Sequence, residues 1–281
     1  MTVCLTFDLL SIIGLFASVL IGISLGLIGG GGSILTVPVL VYLFKVDIVL
    51  ATAYSLFIVG FSSLIGAIPK HKQGLVDLKT ALVFGVPSII AVFITRKVLV
   101  PSIPDTLFEL FGITVTKALA MMVLFAILMV AASISMIRDK KEEATESQQP
   151  RVFNYPMILL EGTVVGILTG LVGAGGGFLI IPALVMLSKL PMKQAVGTSL
   201  LIIAAKSLIG FSGDVMENSS QMDWTLLSLV TILAVVGIFI GNLLSKKVDG
   251  SSLKKGFGWF VLAMGIYIIT KELMFPGASS H

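Results

Sequence analysis

Two stretches of sequence decide the fold: GLIGGGGSILTVPVLV at residues 26–41 and GLVGAGGGFLIIPALV at residues 170–185. Each places a run of glycines inside strongly apolar sequence, where a glycine costs a helix about 1 kcal/mol relative to alanine. Irregular backbone at membrane depth is tolerated only where it is buried in protein or lines a cavity. We therefore expect each run to interrupt a membrane helix, either at a binding site or at a close packing contact.

The rest of the composition is typical of a membrane protein. The 281 residues have a mean hydropathy of +1.07 and only 12% of them are charged, against about 25% in soluble domains. Apolar runs near the length of a spanning helix, about 20 residues, recur along the chain. The net charge is +4, and the basic residues lie between apolar runs, which points to membrane topology and not to nucleic acid. A removable signal peptide is not expected, because no basic residue precedes the first run.

The chain also repeats itself. At a shift of 144 residues, 22–66 aligns on 166–210 without a gap, and the glycine and proline positions keep their register. The predicted division is a first membrane repeat over 1–137, a cytoplasmic linker over 138–151 and a second membrane repeat over 152–281.

The fold class predicted from this pattern is an all-α polytopic membrane protein with two inverted repeats. Each repeat has about five segments and begins with a glycine-broken, half-length helix. A weaker segment at 107–115 is placed at the interface. The ten segments are predicted at about 9–28, 33–44, 48–68, 80–95, 118–137, 155–173, 177–188, 194–213, 224–245 and 256–274.

Five segments is an odd number, so the second repeat must enter the membrane the other way up. With the linker in the cytoplasm, the cytoplasmic loops hold 13 basic residues and the outer loops hold five. The loop at 214–223 has no basic residue and is also placed outside. The prediction is a multi-pass protein of the cell (inner) membrane with both termini extracytoplasmic. The segments at 33–44 and 177–188 either cross fully or are re-entrant. The five outer basic residues are Lys45, Arg96, Lys97, Lys117 and Lys271.

A short helix is predicted to begin just after each glycine run. Its first amides have no intrahelical partner, they form a positive dipole end, and glycine lets a ligand approach them closely. Packing is the alternative, and we favour it for the GxxxG pairs on the neighbouring segments. A dinucleotide fingerprint is excluded, because no strand–helix unit fits here. The predicted anion-binding residues of the two runs are Gly29, Gly30, Gly31, Gly32, Ser33, Gly173, Gly175, Gly176 and Gly177.

Polar residues within the segments are the second group of candidates. Lys206 either binds the substrate or extends to the outer surface, about 10 Å away. Glu161 is predicted to be an interfacial acid, with proton coupling as the alternative. Hydroxyls on the segments after the half-helices could donate to an anion, although such groups more often bond to their own helix. These hydroxyl residues are Tyr54, Ser55, Thr198 and Ser199.

The sequence offers little for catalysis. The two histidines, His71 and His281, lie in a loop and at the chain end, and the single cysteine, Cys4, excludes an internal disulfide or a thiolate metal cluster. No catalytic residue, metal site or cofactor is predicted, and we expect the protein not to be an enzyme.

The paired motifs GLIGGGGSILTVPVL and GLVGAGGGFLIIPAL, with a basic loop between the halves, resemble the TauE/SafE family, also called the sulfite-exporter or TSUP family. The resemblance covers nearly the whole chain. It implies a membrane transporter that exports sulfite, sulfoacetate or a related sulfur-containing anion with coupling to an ion gradient. It also implies that residues 29–33 and 173–177 line the substrate site. Some members carry cysteine motifs, which this chain lacks, so no thiol-based step is implied.

The sequence therefore predicts a secondary transporter of a small anion that works by alternating access between two inverted halves. Its expected partners are the anion, the lipid bilayer and a coupling proton or other ion, and not nucleic acid. An anion channel and a non-transporting membrane assembly or scaffold protein remain alternatives. The particular anion, the direction of transport and the oligomeric state stay open at this stage.

Overall fold

The computed structural model describes residues 9–30, 32–104, 106–110, 113–138, 155–173, 176–186, 190–218, 222–245 and 250–274. Helix dominates these ranges, as predicted. The predicted linker lies outside them except for Arg138, which ends a helix. In chain order the helices are α1 (Leu9–Ile28), α2 (Ser33–Pro38, continued by a π-helical turn over Val39–Leu43), α3 (Ile48–Lys72), α4 (Leu78–Ile94, continued by a π-helical turn over Thr95–Leu99), α5 (Val100–Ser102), α6 (Lys117–Arg138), α7 (Tyr155–Val172), α8 (Gly177–Met186), α9 (Met192–Asn218), α10 (Trp224–Leu244) and α11 (Gly250–Met274).

Several of these helices suit a membrane. Among the described residues, five stretches are long and apolar enough to cross one. Their outer faces carry large apolar side chains such as Phe16, Leu82 and Ile232, all more than 60% exposed. Such a surface would be costly in water and is natural against lipid. The chain is therefore an all-α polytopic membrane protein. The five stretches are Leu10–Ile28, Ile48–Lys72, Leu78–Ser102, Lys193–Met216 and Trp224–Leu244.

Helices α3 and α9 form the centre of the molecule. They are the most buried of the five spanning candidates, and they pack against each other. The rings of Phe57 and Phe211 lie with their centroids 5.0 Å apart across this contact. At Gly60 a Cβ atom would lie 3.1 Å from the Cβ of Ser207. The two helices that come after the short helices α2 and α8 thus meet directly.

The outer helices pair across the two halves of the chain, with α1 packed on α10 and α7 packed on α4. A Cβ added to Gly22 would lie 1.9 Å from the carbonyl oxygen of Ala234, and one added to Gly166 would lie 2.6 Å from that of Ser88. Such backbone approach is possible only with glycine. These GxxxG glycines therefore lie at close contacts between helices.

Three of the helices begin at an aspartate. The Asp47 carboxylate accepts a hydrogen bond from the Val49 N–H at 2.8 Å at the start of α3. Asp77 does the same at the start of α4 and Asp223 at the start of α10. Each side chain satisfies amides that have no intrahelical partner.

Two loop predictions are wrong. Arg96 was placed in an outer loop, but α4 continues through the π-helical turn and α5 to Ser102, and Arg96 is 1% exposed. The predicted loop at 214–223 begins later, because α9 extends to Asn218. Asp214 is buried on this last part of α9, where it pairs with Arg96 at 3.4 Å. Each charge partly offsets the cost of removing the other from water, so both residues can be buried within a helix.

The described residues of the weak extra segment at 107–115 lie in two antiparallel strands. The strands are β1 (Thr106–Leu110) and β2 (Ile113–Thr116), with Leu110 opposite Ile113. Phe108 on β1 is 56% exposed. Threonine, valine and isoleucine, which are common in this short piece, favour strand over helix.

Candidate functional site

The first glycine run ends α1 and lies against α9. Gly29 follows the last residue of α1 and has φ +79, a conformation that side chains other than glycine rarely adopt. Its carbonyl oxygen accepts a hydrogen bond from Ser199 Oγ at 3.1 Å. A Cβ added to Gly29 would lie 2.5 Å from Val196 Cγ1. The predicted residues Gly29 and Ser199 are therefore in contact.

The second glycine run has a matching environment on α3. Gly173 follows the last residue of α7 with φ +69. A Cβ added there would lie 2.3 Å from Thr52 Cβ. Gly173 and Thr52 are the residues that align with Gly29 and Val196 at the 144-residue shift. The first run thus follows α1 and contacts α9, and the second run follows α7 and contacts α3.

The two runs also touch each other. A Cβ added to Gly30 would lie 2.5 Å from the carbonyl carbon of Gly177, and a Cβ added to Gly177 would lie 2.4 Å from the Cα of Gly30. Gly32 precedes α2, and Ser33, the first residue of α2, donates its hydroxyl to the Gly30 carbonyl at 2.7 Å. Because Gly177 begins α8, the starts of α2 and α8 lie side by side.

Lys206 reaches this place from α9. Its side chain is fully buried, and Nζ donates to Thr169 Oγ1 on α7 at 3.2 Å. A Cβ added to Gly176 would lie 2.6 Å from Nζ, and Gly176 has φ +66. The ammonium therefore lies against glycine backbone just before α8. The alternative that Lys206 extends to the outer surface is wrong.

Within the described part of the chain, no carboxylate pairs with Lys206. Removing an ammonium from water costs several kcal/mol, and one neutral hydroxyl returns only about 1.5–3 kcal/mol of hydrogen-bond energy to a charged group. The positive end of α8 adds to this positive charge. An anion at the same place would supply the missing compensation.

Arg96 is the site residue that the sequence analysis missed. Its Nη1 donates to Thr52 Oγ1 at 3.0 Å and pairs with Asp214. A Cβ added to Gly173 would lie 2.6 Å from Arg96 Nη2. The signal was present in VFITRKVLV at residues 92–100, because apolar residues flank the basic pair on both sides.

Two predicted hydroxyls are occupied elsewhere. The backbone N–H of Asp223 donates to the hydroxyl of Tyr54, and the N–H of Asp77 donates to Thr198 Oγ1 at 2.9 Å. Tyr54 and Thr198 align at the 144-residue shift. Both therefore join a central helix to the aspartate that begins a helix of the other half.

The remaining predicted residues lie at different places. Ser55 is fully buried, and its hydroxyl has no hydrogen-bond partner among the described residues. Glu161 is partly exposed on α7. It precedes Val172, the end of α7, by 11 residues (172 − 161), about 16 Å along a helix, so it is remote from the second run. Gly31 and Gly175 lie outside the described residues.

The electrostatics of the site are simple. Of the side chains that the structure describes, three charged ones are buried: Arg96, Lys206 and Asp214. Within the same ranges no group of three or more His, Cys, Asp or Glu residues could hold a metal ion. The arrangement suits recognition of an anion by positive charge and backbone amides.

Comparison with known proteins gives consistent relatives. The sequence profile of the family described as "Sulfite exporter TauE/SafE" matches residues 14–268. The chain is 28% identical over 260 residues to a "Probable membrane transporter protein" of Xylella fastidiosa (strain 9a5c), covering 90% of this chain and 92% of the relative. It is also 28% identical to the "Probable membrane transporter protein YunE" of Bacillus subtilis (strain 168), covering 98% and 100%. No solved structure matches significantly. The chain thus belongs to the sulfite exporter TauE/SafE family of membrane transporters.

Proposed function

We propose that the protein is a secondary transporter that exports a small anion bound between the two glycine runs. The observation that carries the proposal is Lys206, whose buried ammonium lies against Gly176 with no carboxylate partner among the described residues. A transported anion would provide the opposite charge. The proposed contacts are backbone amides at the starts of α2 and α8, Lys206, and the hydroxyls of Ser33, Ser55 and Ser199.

Two inverted repeats account for the paired contacts between the halves. Gly29 meets Val196 as Gly173 meets Thr52, and each pair joins one half to the other. The charge bias of the loops supports the opposite orientation of the halves. Arg96 and Lys97 both lie in the π-helical turn that continues α4. Without them the predicted outer loops hold Lys45, Lys117 and Lys271, which strengthens the bias.

The proposed mechanism is alternating access. The starts of α2 and α8 come from different halves, so a rocking movement of one half against the other would open the site to one side at a time. We assign Tyr54 and Thr198 to holding the halves together, because their oxygens accept hydrogen bonds from Asp223 and Asp77.

The family name favours sulfite or a related organosulfonate as the anion. Sulfite and sulfonates present three oxygens on one sulfur atom, so several N–H donors can bind one headgroup together. A proton or another ion is the proposed coupling partner. The proposed setting is the cell (inner) membrane, with both termini outside the cytoplasm.

The test is anion transport by the purified protein in proteoliposomes. Wild-type protein should show sulfite efflux and counterflow, meaning that anion on one side accelerates movement of labelled anion from the other. Lys206→Met, which keeps the length of the side chain and removes its charge, should reduce anion affinity by at least tenfold. Lys193→Met on the exposed start of α9 is the matched control and should behave as wild type.

Counterflow also separates the alternatives. A carrier shows it and an open channel does not. A scaffold protein would show neither transport nor a rise in melting temperature with sulfite, sulfoacetate, taurine or thiosulfate. If folded Lys206→Met bound the anion as tightly as wild type, the Lys206 ammonium would not be the charge that the anion compensates, and the proposal would be refuted.

A further inference from the structure

We propose that Arg96 is a second anion-binding residue and that the negative charge of Asp214 shifts the selectivity of the site from doubly towards singly charged sulfonates. This inference rests on the proposed function and names its substrate class. Neither residue was a candidate from the sequence.

The geometry of Arg96 leaves one edge of its guanidinium group open to a ligand. Nη1 is used by Thr52 and Asp214. Nε and Nη2 are both buried and have no hydrogen-bond partner among the described residues. These two nitrogens lie on the same edge, where two parallel N–H bonds can hold two oxygens of one oxyanion.

The open edge lies at the second glycine run. Nη2 would be 2.6 Å from a Cβ on Gly173, and Lys206 Nζ would be 2.6 Å from a Cβ on Gly176. Arg96 therefore approaches Gly173 from the helical turn that continues α4, and Lys206 approaches Gly176 of the same run from α9. Leaving buried N–H donors of a charged group unpaired is strongly unfavourable. A bound oxyanion would satisfy both donors.

The equivalent position in the other half carries no cation. Arg96 follows Asp77, which begins α4, by 19 residues (96 − 77), and Asn242 follows Asp223, which begins α10, by the same 19 (242 − 223). Asn242 therefore takes the corresponding position on α10, where its N–H lies 2.8 Å from a Cβ added to Gly26. Lys206 likewise aligns with Ser62. Both buried cations are thus at the second run, which we infer to be the anion-binding side of the site.

The charges limit what can bind. Arg96 and Lys206 contribute two positive charges and Asp214 one negative charge, and these are the buried charged side chains in the described ranges. The net charge of these side chains is +1, and the positive starts of α2 and α8 add partial charge to it. Asp214 lowers the positive charge by one, which disfavours a dianion more than a monoanion, because negative charge in a place shielded from water needs compensation.

The experiment compares two sulfonates of similar size and different charge. Isethionate carries one negative charge at neutral pH, and sulfoacetate carries two. Dissociation constants are measured by calorimetry on the purified full-length protein in nanodiscs. The ratio of the two constants in wild type is the reference. Asp214→Asn adds one positive charge and should shift this ratio towards sulfoacetate at least tenfold.

Variants at Arg96 separate contact from charge. Arg96→Gln should weaken binding of both anions, and Arg96→Lys should restore part of the affinity while keeping the preference. The double variant Arg96→Gln/Asp214→Asn has the same total charge as wild type and should restore the wild-type ratio, with weaker binding. Asp214→Asn alone leaves the buried Arg96 without its charge partner and could fail to fold. The double variant lacks both charges and avoids this problem. Lys97→Gln is the matched control, because Lys97 is adjacent but exposed, and it should change nothing.

The outcomes distinguish this inference from the proposed function. If wild type binds neither sulfonate nor sulfite, both fall. If wild type binds a sulfonate but the preference is the same within twofold in Asp214→Asn and in the double variant, only the charge-setting role of Asp214 is overturned. If Arg96→Gln binds as wild type does, Arg96 is not an anion contact.

Discussion

Gly30→Ala is the most direct test of whether the contact between the two glycine runs forms the binding site. The added Cβ would lie 2.5, 2.6 and 2.7 Å from the carbonyl carbon, oxygen and Cα of Gly177. Ordinary contact needs about 3.5 Å, so the two runs must separate by about 1 Å. The φ of Gly30 is not in the left-handed region, so alanine adds no backbone strain, and separation is the main effect.

The expected loss of affinity follows from that separation. A hydrogen bond of about 2.9 Å stretched by about 1 Å no longer forms. Losing one such bond to a charged ligand costs about 1.5–3 kcal/mol, which is roughly a 10- to 150-fold increase in Kd. The measurement is the sulfite Kd by calorimetry, together with counterflow in proteoliposomes.

Gly85→Ala is the matched control for this substitution. Gly85 also lies within a membrane helix, but a Cβ there would meet Ile202 Cγ1 at 3.9 Å, which is an ordinary contact. This variant should bind sulfite as wild type does. If folded Gly30→Ala kept the wild-type Kd within twofold, the starts of α2 and α8 would not both contact the anion, and the reasoning would be refuted.

Three further predictions concern packing, capping and remote charge. Gly22→Val places a side chain against the Ala234 carbonyl oxygen, which a Cβ would approach to 1.9 Å. Overpacking should lower the free energy of unfolding by about 1–3 kcal/mol. An unchanged melting temperature would contradict the close contact between α1 and α10. Tyr54→Phe removes the acceptor for the Asp223 N–H. The loss of a partner for this backbone donor should cost about 1–3 kcal/mol of stability. The sulfite Kd should stay the same, and a changed Kd would show that Tyr54 contacts the anion. Glu161→Gln should leave counterflow and its pH dependence as in wild type, because Glu161 lies about 16 Å along α7 from the second run; loss of the pH dependence would make Glu161 a proton carrier.

Much of the architecture was predictable because it depends on local pattern. Helices α1 and α10 begin and end near the predicted bounds, since apolar runs of spanning length and capping aspartates act locally. The glycine runs end α1 and α7 for an equally local reason, because Gly29 and Gly173 adopt φ values that other residues rarely reach. The GxxxG spacing on α1 and α7 indicated close helix packing without naming the partner helix.

The sequence alone determined the membrane class, the duplication and the two glycine runs, because composition, period and backbone preference are properties of the chain itself. Only the tertiary structure decided which runs and side chains meet. Gly30 and Gly177 are 147 residues apart in the sequence (177 − 30). Arg96 and Asp214 both belong to segments that the sequence predicts as loops, and in the structure they form a buried ion pair. A buried charge is stable only with partners that come from elsewhere in the fold. For that reason the charged part of the site could not be read from local sequence.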